Sequence, residues 1–159
     1  MARHVGQELA AVQQLGRRVA RRFIERGPRP KPSDLAAEMN VEVIHLGSPP
    51  SAQPRLRSEY TARPGSAGFS LPRPAAPRIT LYTDSITALA NATHASQRFD
   101  MMRVDLTELH IAHELFHHLE SGQRFGPLTR EEVETAAHAF AKELMDLDFE
   151  PEELSALLG

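Results

Sequence analysis

His113-Glu114-Leu115-Phe116-His117 has the form H-E-x-x-H. The surrounding apolar residues recur at helical spacing, which predicts an amphipathic helix. Side chains four residues apart lie on one face of a helix, so both imidazoles can reach one zinc ion. The Glu114 carboxylate lies beside that face, where it can take a proton from an attacking water. The stretch therefore predicts a helix with core on one side and a metal site on the other.

A second helix, expected over residues 130–145, offers a third ligand. Its apolar stripe contains Glu134 and His138, which lie one turn apart. A carboxylate within an apolar stripe is unfavourable unless an opposite charge neutralises it, and a zinc ion would do so. Catalytic zinc normally takes three protein ligands, so we expect Glu134 to be the third. The alternative is an ion pair between Glu134 and a histidine or arginine of the core.

The chain is expected to form one domain over residues 1–159, because this length buries a core without disulfide staples. The expected elements are several helices around a small sheet, which predicts the α+β class, with the helices packed on a small mixed or antiparallel sheet. The first half is expected to contain an N-terminal amphipathic helix (1–27), a helix capped by Ser33 and a strand over residues 41–46. A proline-rich loop or irregular hairpin (47–77), with a brief strand at Gly68–Leu71, then leads to a second strand over residues 78–82. Two active-site helices follow within residues 105–146, and the first begins with a capping box of Asp105 and Glu108.

Composition limits the ligands and the partners. Cysteine is absent, which excludes thiolate zinc sites and disulfides. No run of about 18 apolar residues is present, and the N-terminus is arginine-rich instead of carrying an apolar signal core, so we expect a cytoplasmic protein with no membrane partner. The arginine-rich helix lacks interleaved aromatic residues and the net charge is −3, which disfavours nucleic acid as a partner. The sequence carries no signal for an oligomeric state.

Two segments together resemble the ImmA/IrrE family of metallopeptidases. In that family H-E-x-x-H is followed by a segment of the form E-x-x-A-N-x-F-A-x-x-L-M-P, and residues 134–145 read E-T-A-A-H-A-F-A-K-E-L-M. The upstream strand Ile79–Tyr82 also resembles the strand before the family's active-site helix. The resemblance implies a zincin-like minimal metallopeptidase fold. It also implies that His113 and His117 bind zinc with Glu134, and that Glu114 is the general base.

The chain departs from the family pattern at two positions. His138 stands where the family has asparagine, and no proline follows Met145. The first departure leaves two roles open for His138: it could orient the ligands without touching the metal, or it could replace Glu134 as the third ligand. The resemblance also implies a protein substrate, such as a helix-turn-helix transcriptional repressor.

Three further side chains are candidates for supporting roles. His110 lies one turn before His113, where it could orient a ligand or face the substrate. Tyr60 and Tyr82 are the only tyrosines, and either could donate a hydrogen bond to an oxyanion, with Tyr82 as the chosen candidate. A purely structural role is the alternative for each tyrosine.

Two classes of function follow from these residues. The first is a zinc-dependent endopeptidase, whose extended substrate is expected to pair with the strand Arg78–Tyr82 as an added edge strand. The second is a zinc-binding regulatory protein that docks a partner with little or no turnover. The glutamate at position 114 favours the enzyme, because a protein that only holds zinc needs no base there.

Overall fold

The computed structural model describes residues 2–62, 76–122 and 125–158, with side chains from residue 8 onward. The predicted α+β class is confirmed, because helices pack on a small three-stranded sheet in this part of the chain. The elements are α1 (Ala2–Ile24), α2 (Pro32–Glu38), β1 (Glu42–Leu46), β2 (Ser58–Thr61), β3 (Arg78–Tyr82), α3 (Thr83–Ala95), α4 (Phe99–Met102), α5 (Leu106–Gly122), α6 (Arg130–Met145) and α7 (Glu152–Ala156). None of the helices described combines the length and the apolar content that crossing a membrane requires.

The sheet is mixed, with the strand order β1-β3-β2. β1 pairs with β3 in parallel and β2 pairs with it antiparallel, so Ile79 faces Val43 on one side and Tyr60 on the other. The proline-rich region expected over residues 47–77 thus contributes an edge strand, while the brief strand expected at Gly68–Leu71 lies outside the described residues. β3 is the central strand and is buried along most of its length.

The start of α5 differs from the predicted capping box. Asp105 does accept a hydrogen bond from the Glu108 backbone N–H, at 3.1 Å. The Glu108 carboxylate turns instead to α2, where its Oε2 accepts from the Ser33 backbone N–H at 2.8 Å and its Oε1 lies 3.7 Å from the Lys31 ammonium. The expected Ser33 cap is therefore wrong. α2 begins at Pro32, and the Glu108 side chain of α5 caps the Ser33 backbone N–H in its first turn. This carboxylate ties the two helices together.

α1 packs mainly against α6, and Gly16 allows the two helices to approach closely. A Cβ at position 16 would lie 2.2 Å from the carbonyl oxygen of Ala136 and 2.9 Å from the backbone nitrogen of Phe140. The core below this contact is built from side chains of every major helix and of the sheet. Its largest fully buried members are Phe116, Phe140, Leu35, Ile79, Leu81, Leu89, Met101, Leu115, Leu144 and Val19.

We expect Gly16→Ala to lower the free energy of unfolding by about 1–3 kcal/mol, the usual cost of forcing an added methyl into a packed interface. The gain in helix propensity from alanine, about 1 kcal/mol, works in the opposite direction and should be outweighed. Urea unfolding followed by circular dichroism measures the difference. Gly122→Ala is the matched control, because no described atom lies within 4 Å of the added Cβ there. Equal stability of the two variants would contradict the close contact.

Candidate metal centre

The candidate site lies where α5 and α6 face each other. Their apolar sides meet in the core through Phe116 and Phe140, whose ring centroids are 5.7 Å apart. Because both helices are amphipathic, this packing fixes which face of each turns towards the cleft beside it. His113 and His117 on α5 therefore face Glu134 on α6.

Three side chains meet at separations that suit one metal ion. The Nε2 atoms of His113 and His117 are 3.3 Å apart. Glu134 places Oε2 at 3.1 Å from the first of these nitrogens and Oε1 at 2.9 Å from the second. Two ligands bound at about 2.0–2.1 Å to a tetrahedral ion lie about 3.3–3.4 Å apart. Two imidazoles and a carboxylate at these distances therefore form a donor set that fits such an ion.

His138 adds a fourth donor to the same cluster. Its ring centroid is 4.7 Å from that of His113, and the ligand atoms of His113, Glu134 and His138 all lie within 4.8 Å of one another, so this group too could hold a metal ion. Burial, followed by the charge of His113, lowers the pKa of His138 to about 4, which leaves a neutral nitrogen able to bind. His113 and Glu134 belong to both sets, which differ in whether His117 or His138 is the remaining ligand.

Without an ion, the cluster is held by charge. Hydrogen bonds from His113 and His117 keep the pKa of the Glu134 carboxyl far below its usual range. Burial lowers the pKa of His117, but the hydrogen bond to Glu134 and the charges of nearby glutamates outweigh it, so the net shift is upward. The ion pair between Glu134 and a histidine, given above as the alternative to a metal site, is thus present in the described residues. Metal binding would displace the protons that these histidines share with Glu134.

Glu114 lines the same cleft as the cluster and is hydrogen bonded outside it. The residue is 5% exposed, and its Oε1 accepts a hydrogen bond from the Ser58 hydroxyl at 2.8 Å. Ser58 is the first residue of β2, so the sheet edge orients this carboxylate while α5 carries it. Glu114 lines the cleft together with the two histidines. This position suits a general base and not a ligand.

The cleft above the cluster has a volume of about 920 Å³. α5 and α6 form its floor, residues 53–60 form one wall and α7 closes another. A volume of this size is typical of a site for a peptide or a small molecule. Polar groups converge at the floor, whereas Leu109, Pro151 and Leu154 contribute apolar wall.

The two other candidates, His110 and Tyr82, differ in whether they reach the cleft. His110 lines the cleft, donates from Nδ1 to the Leu106 carbonyl at 2.6 Å and is kept neutral by burial, which lowers its pKa to about 4. Tyr82 is 3% exposed, and its hydroxyl donates to Glu59. Burial and this hydrogen bond raise the pKa of Tyr82 to about 12. The structure gives Tyr82 a role inside the sheet, since it is not among the residues that line the cleft.

Residues 57–60 form a part of the site of which the sequence pattern singled out Tyr60 alone. Tyr60 lines the cleft, with its hydroxyl 2.8 Å from Nδ1 of His118. Arg57 and Ser58 line it as well. The one available signal was the proline-free run Arg55–Arg63 between Pro54 and Pro64, which is long enough for a short edge strand. Nothing local in the sequence marks Arg57 as a cleft residue.

No family model, no curated protein and no solved structure matches this chain. The likeness to the ImmA/IrrE metallopeptidases therefore stays a resemblance in residues 113–117 and 134–145. The geometry of the cluster and the cleft is the basis for a functional assignment.

Zinc retention tests the two histidines. We expect the purified chain to hold about one zinc ion at neutral pH, and His113→Ala or His117→Ala to abolish retention because each removes one of three ligands. Elemental analysis after dialysis measures the stoichiometry. His118→Ala is the control, since His118 is the next residue on α5 but is hydrogen bonded to Tyr60 outside the cluster. Metal retained in both ligand variants would exclude this site.

Glu134 and His138 are separated by their own pair of variants. Glu134→Ala should lose the metal, whereas His138→Ala should keep it with an affinity about 10–100-fold weaker, as for residues that only orient a ligand. Competition with a chromogenic zinc chelator gives both affinities. The reverse ranking would make His138 the third ligand.

Proposed function

We propose that this chain is a zinc-dependent endopeptidase. The observation that supports the proposal is the buried Glu114 carboxylate, fixed by Ser58 beside the donors His113, His117 and Glu134 in one cleft. Burying a carboxylate is unfavourable unless it is hydrogen bonded. A protein that only stores zinc would gain nothing from holding Glu114 in this position.

Each residue has a distinct part in the proposed reaction. Zinc held by His113, His117 and Glu134 would supply Lewis acidity to the scissile carbonyl and acidify the attacking water. Glu114 takes the proton from that water and passes it to the leaving amine. The Ser58 hydroxyl occupies Oε1 of Glu114, which leaves Oε2 free for the proton. His110, kept neutral by burial, adds no positive charge that would compete with the metal.

The path of the substrate differs from the one expected from the sequence. The expectation that a peptide adds to the strand Arg78–Tyr82 is wrong, because β3 is hydrogen bonded on both sides. β2 lies at the edge of the described sheet, and its residues Ser58, Glu59 and Tyr60 line the cleft. An extended peptide can therefore pair with β2 through backbone hydrogen bonds, which would carry it past Glu114.

A regulatory protein is the proposed substrate class. This part of the proposal is supported by the resemblance of residues 113–117 and 134–145 to a family linked to helix-turn-helix repressors. Such a repressor is a cytoplasmic protein, which would place the peptidase in the same compartment.

Glu114→Gln tests the proposal against the alternative of a zinc-binding regulator. The change keeps the shape of the side chain and removes the base, so cleavage should fall by about 10²–10⁴-fold while zinc content and folding persist. Mass spectrometry of a proteome-derived peptide library, incubated with the zinc-loaded protein and with its chelator-treated form, measures cleavage. Ser58→Ala is the graded control, because it loosens Glu114 without removing it. Activity unchanged in Glu114→Gln would rule out the peptidase.

A further inference from the structure

Arg57 places a cation in the cleft that the proposed reaction does not use. Its guanidinium is part-buried, and the one side-chain hydrogen bond described for it runs to the Ser155 hydroxyl on α7, at 3.1 Å. A guanidinium has five N–H donors in a planar fork that matches a carboxylate. Most of that donor capacity is therefore available at the wall of the cleft.

The described residues provide no counter-ion for Arg57. Other arginines of this part of the chain form ion pairs, as Arg78 does with Glu42, but no described carboxylate lies within 4.0 Å of Arg57. The segments outside the description contain no aspartate or glutamate. Four glutamates line the same cleft. Glu59, Glu114 and Glu134 already accept hydrogen bonds from Tyr82, from Ser58 and from the two α5 histidines, and Glu120 lies more than 4.0 Å from Arg57.

The surroundings of Arg57 strengthen its pull on an anion. The cleft wall near α7 includes the buried residues Pro151 and Leu154, while the hydrogen bond from Arg57 to Ser155 lies at the exposed rim of the cleft. Burial lowers the pKa of the Arg57 guanidinium, which nevertheless stays charged at neutral pH. An ion pair formed in such a partly apolar site is screened less than one at the open surface.

We propose that Arg57 binds a carboxylate of the peptide substrate, so that the cleft selects an acidic residue near the scissile bond. The proposal rests on the peptidase function above and adds the substrate class. The apolar wall contributed by Leu154 would contact the methylene stem of a glutamate, while the guanidinium takes its carboxylate in a two-point hydrogen bond. A free peptide C-terminus carries the same group and would be bound by the same donors.

Hydroxamate-capped tripeptides test this assignment without turnover. The hydroxamate anchors each ligand at the metal, and it is placed at either end of the peptide in separate series. In each series a glutamate is moved through the three positions of the peptide, which has no free C-terminal carboxylate, and each glutamate ligand is compared with its glutamine counterpart. Titration calorimetry on the zinc-loaded protein should show one glutamate ligand binding about 10–100-fold more tightly than its glutamine partner, the usual gain from a charged hydrogen bond. The ratio should fall to about 1 in Arg57→Met and recover in part in Arg57→Lys.

Two matched variants separate recognition from structure. Ser155→Ala removes the hydrogen bond that joins Arg57 to α7, and Arg55→Met removes an exposed arginine of the same cleft. Both should keep the glutamate preference. Thermal unfolding of each variant confirms that it is folded.

The outcomes distinguish this proposal from the peptidase assignment. The all-glutamine peptide with an N-terminal hydroxamate is also compared with and without a free C-terminal carboxylate; a gain that depends on Arg57 and appears only with that free carboxylate would overturn selection of an acidic side chain. Equal affinity of every acidic ligand and its neutral partner in the wild type, or a preference that survives in Arg57→Met, would overturn the proposal. Hydroxamate binding that does not depend on zinc would count against the metal site, while the glutamate-to-glutamine ratio would still report on Arg57.

Discussion

The contact of one carboxylate with two histidines sets the geometry on which the site depends. Glu134 reaches His113 and His117 at 3.1 and 2.9 Å, so α5 and α6 must pack at a fixed distance and rotation. That packing is supported from behind, where α1 lies against α6 with Gly16 at the closest approach. A shift of either helix by 1 Å would be a large fraction of a ligand bond, which is why the metal site and the core have to be considered as one unit.

Local patterns in the sequence predicted the parts of the fold that depend on local periodicity. H-E-x-x-H and the stripe containing Glu134 and His138 predicted the two helices and the donors that meet between them. The strand at Arg78–Tyr82 was also predicted, because β-branched alternation is a local property. Its place in the sheet was not, because strand order depends on pairing across many residues, and β3 proved to be central.

Two side chains illustrate the same limit. The chemistry of Tyr82 allows an oxyanion donor, while its position on the central strand joins its hydroxyl to Glu59. Arg57 carries no local signal of its own, since it stands in a proline-rich stretch outside any motif. Pairing of the following residues with β3 instead turns this arginine into the cleft. A side chain whose role depends on which strands become neighbours cannot be assigned from its own segment.

Because Ser58 holds Glu114, two parts of the fold support the site, and they differ in rigidity. The metal donors all come from the helical layer, whose packing is continuous with the core. The orientation of the base comes from an edge strand, which is held by backbone hydrogen bonds on one side in the described sheet and is therefore the looser support. Under the proposed function, metal affinity and proton transfer would thus be separable: a displacement of β2 would leave the donors His113, His117 and Glu134 in place and misalign Glu114.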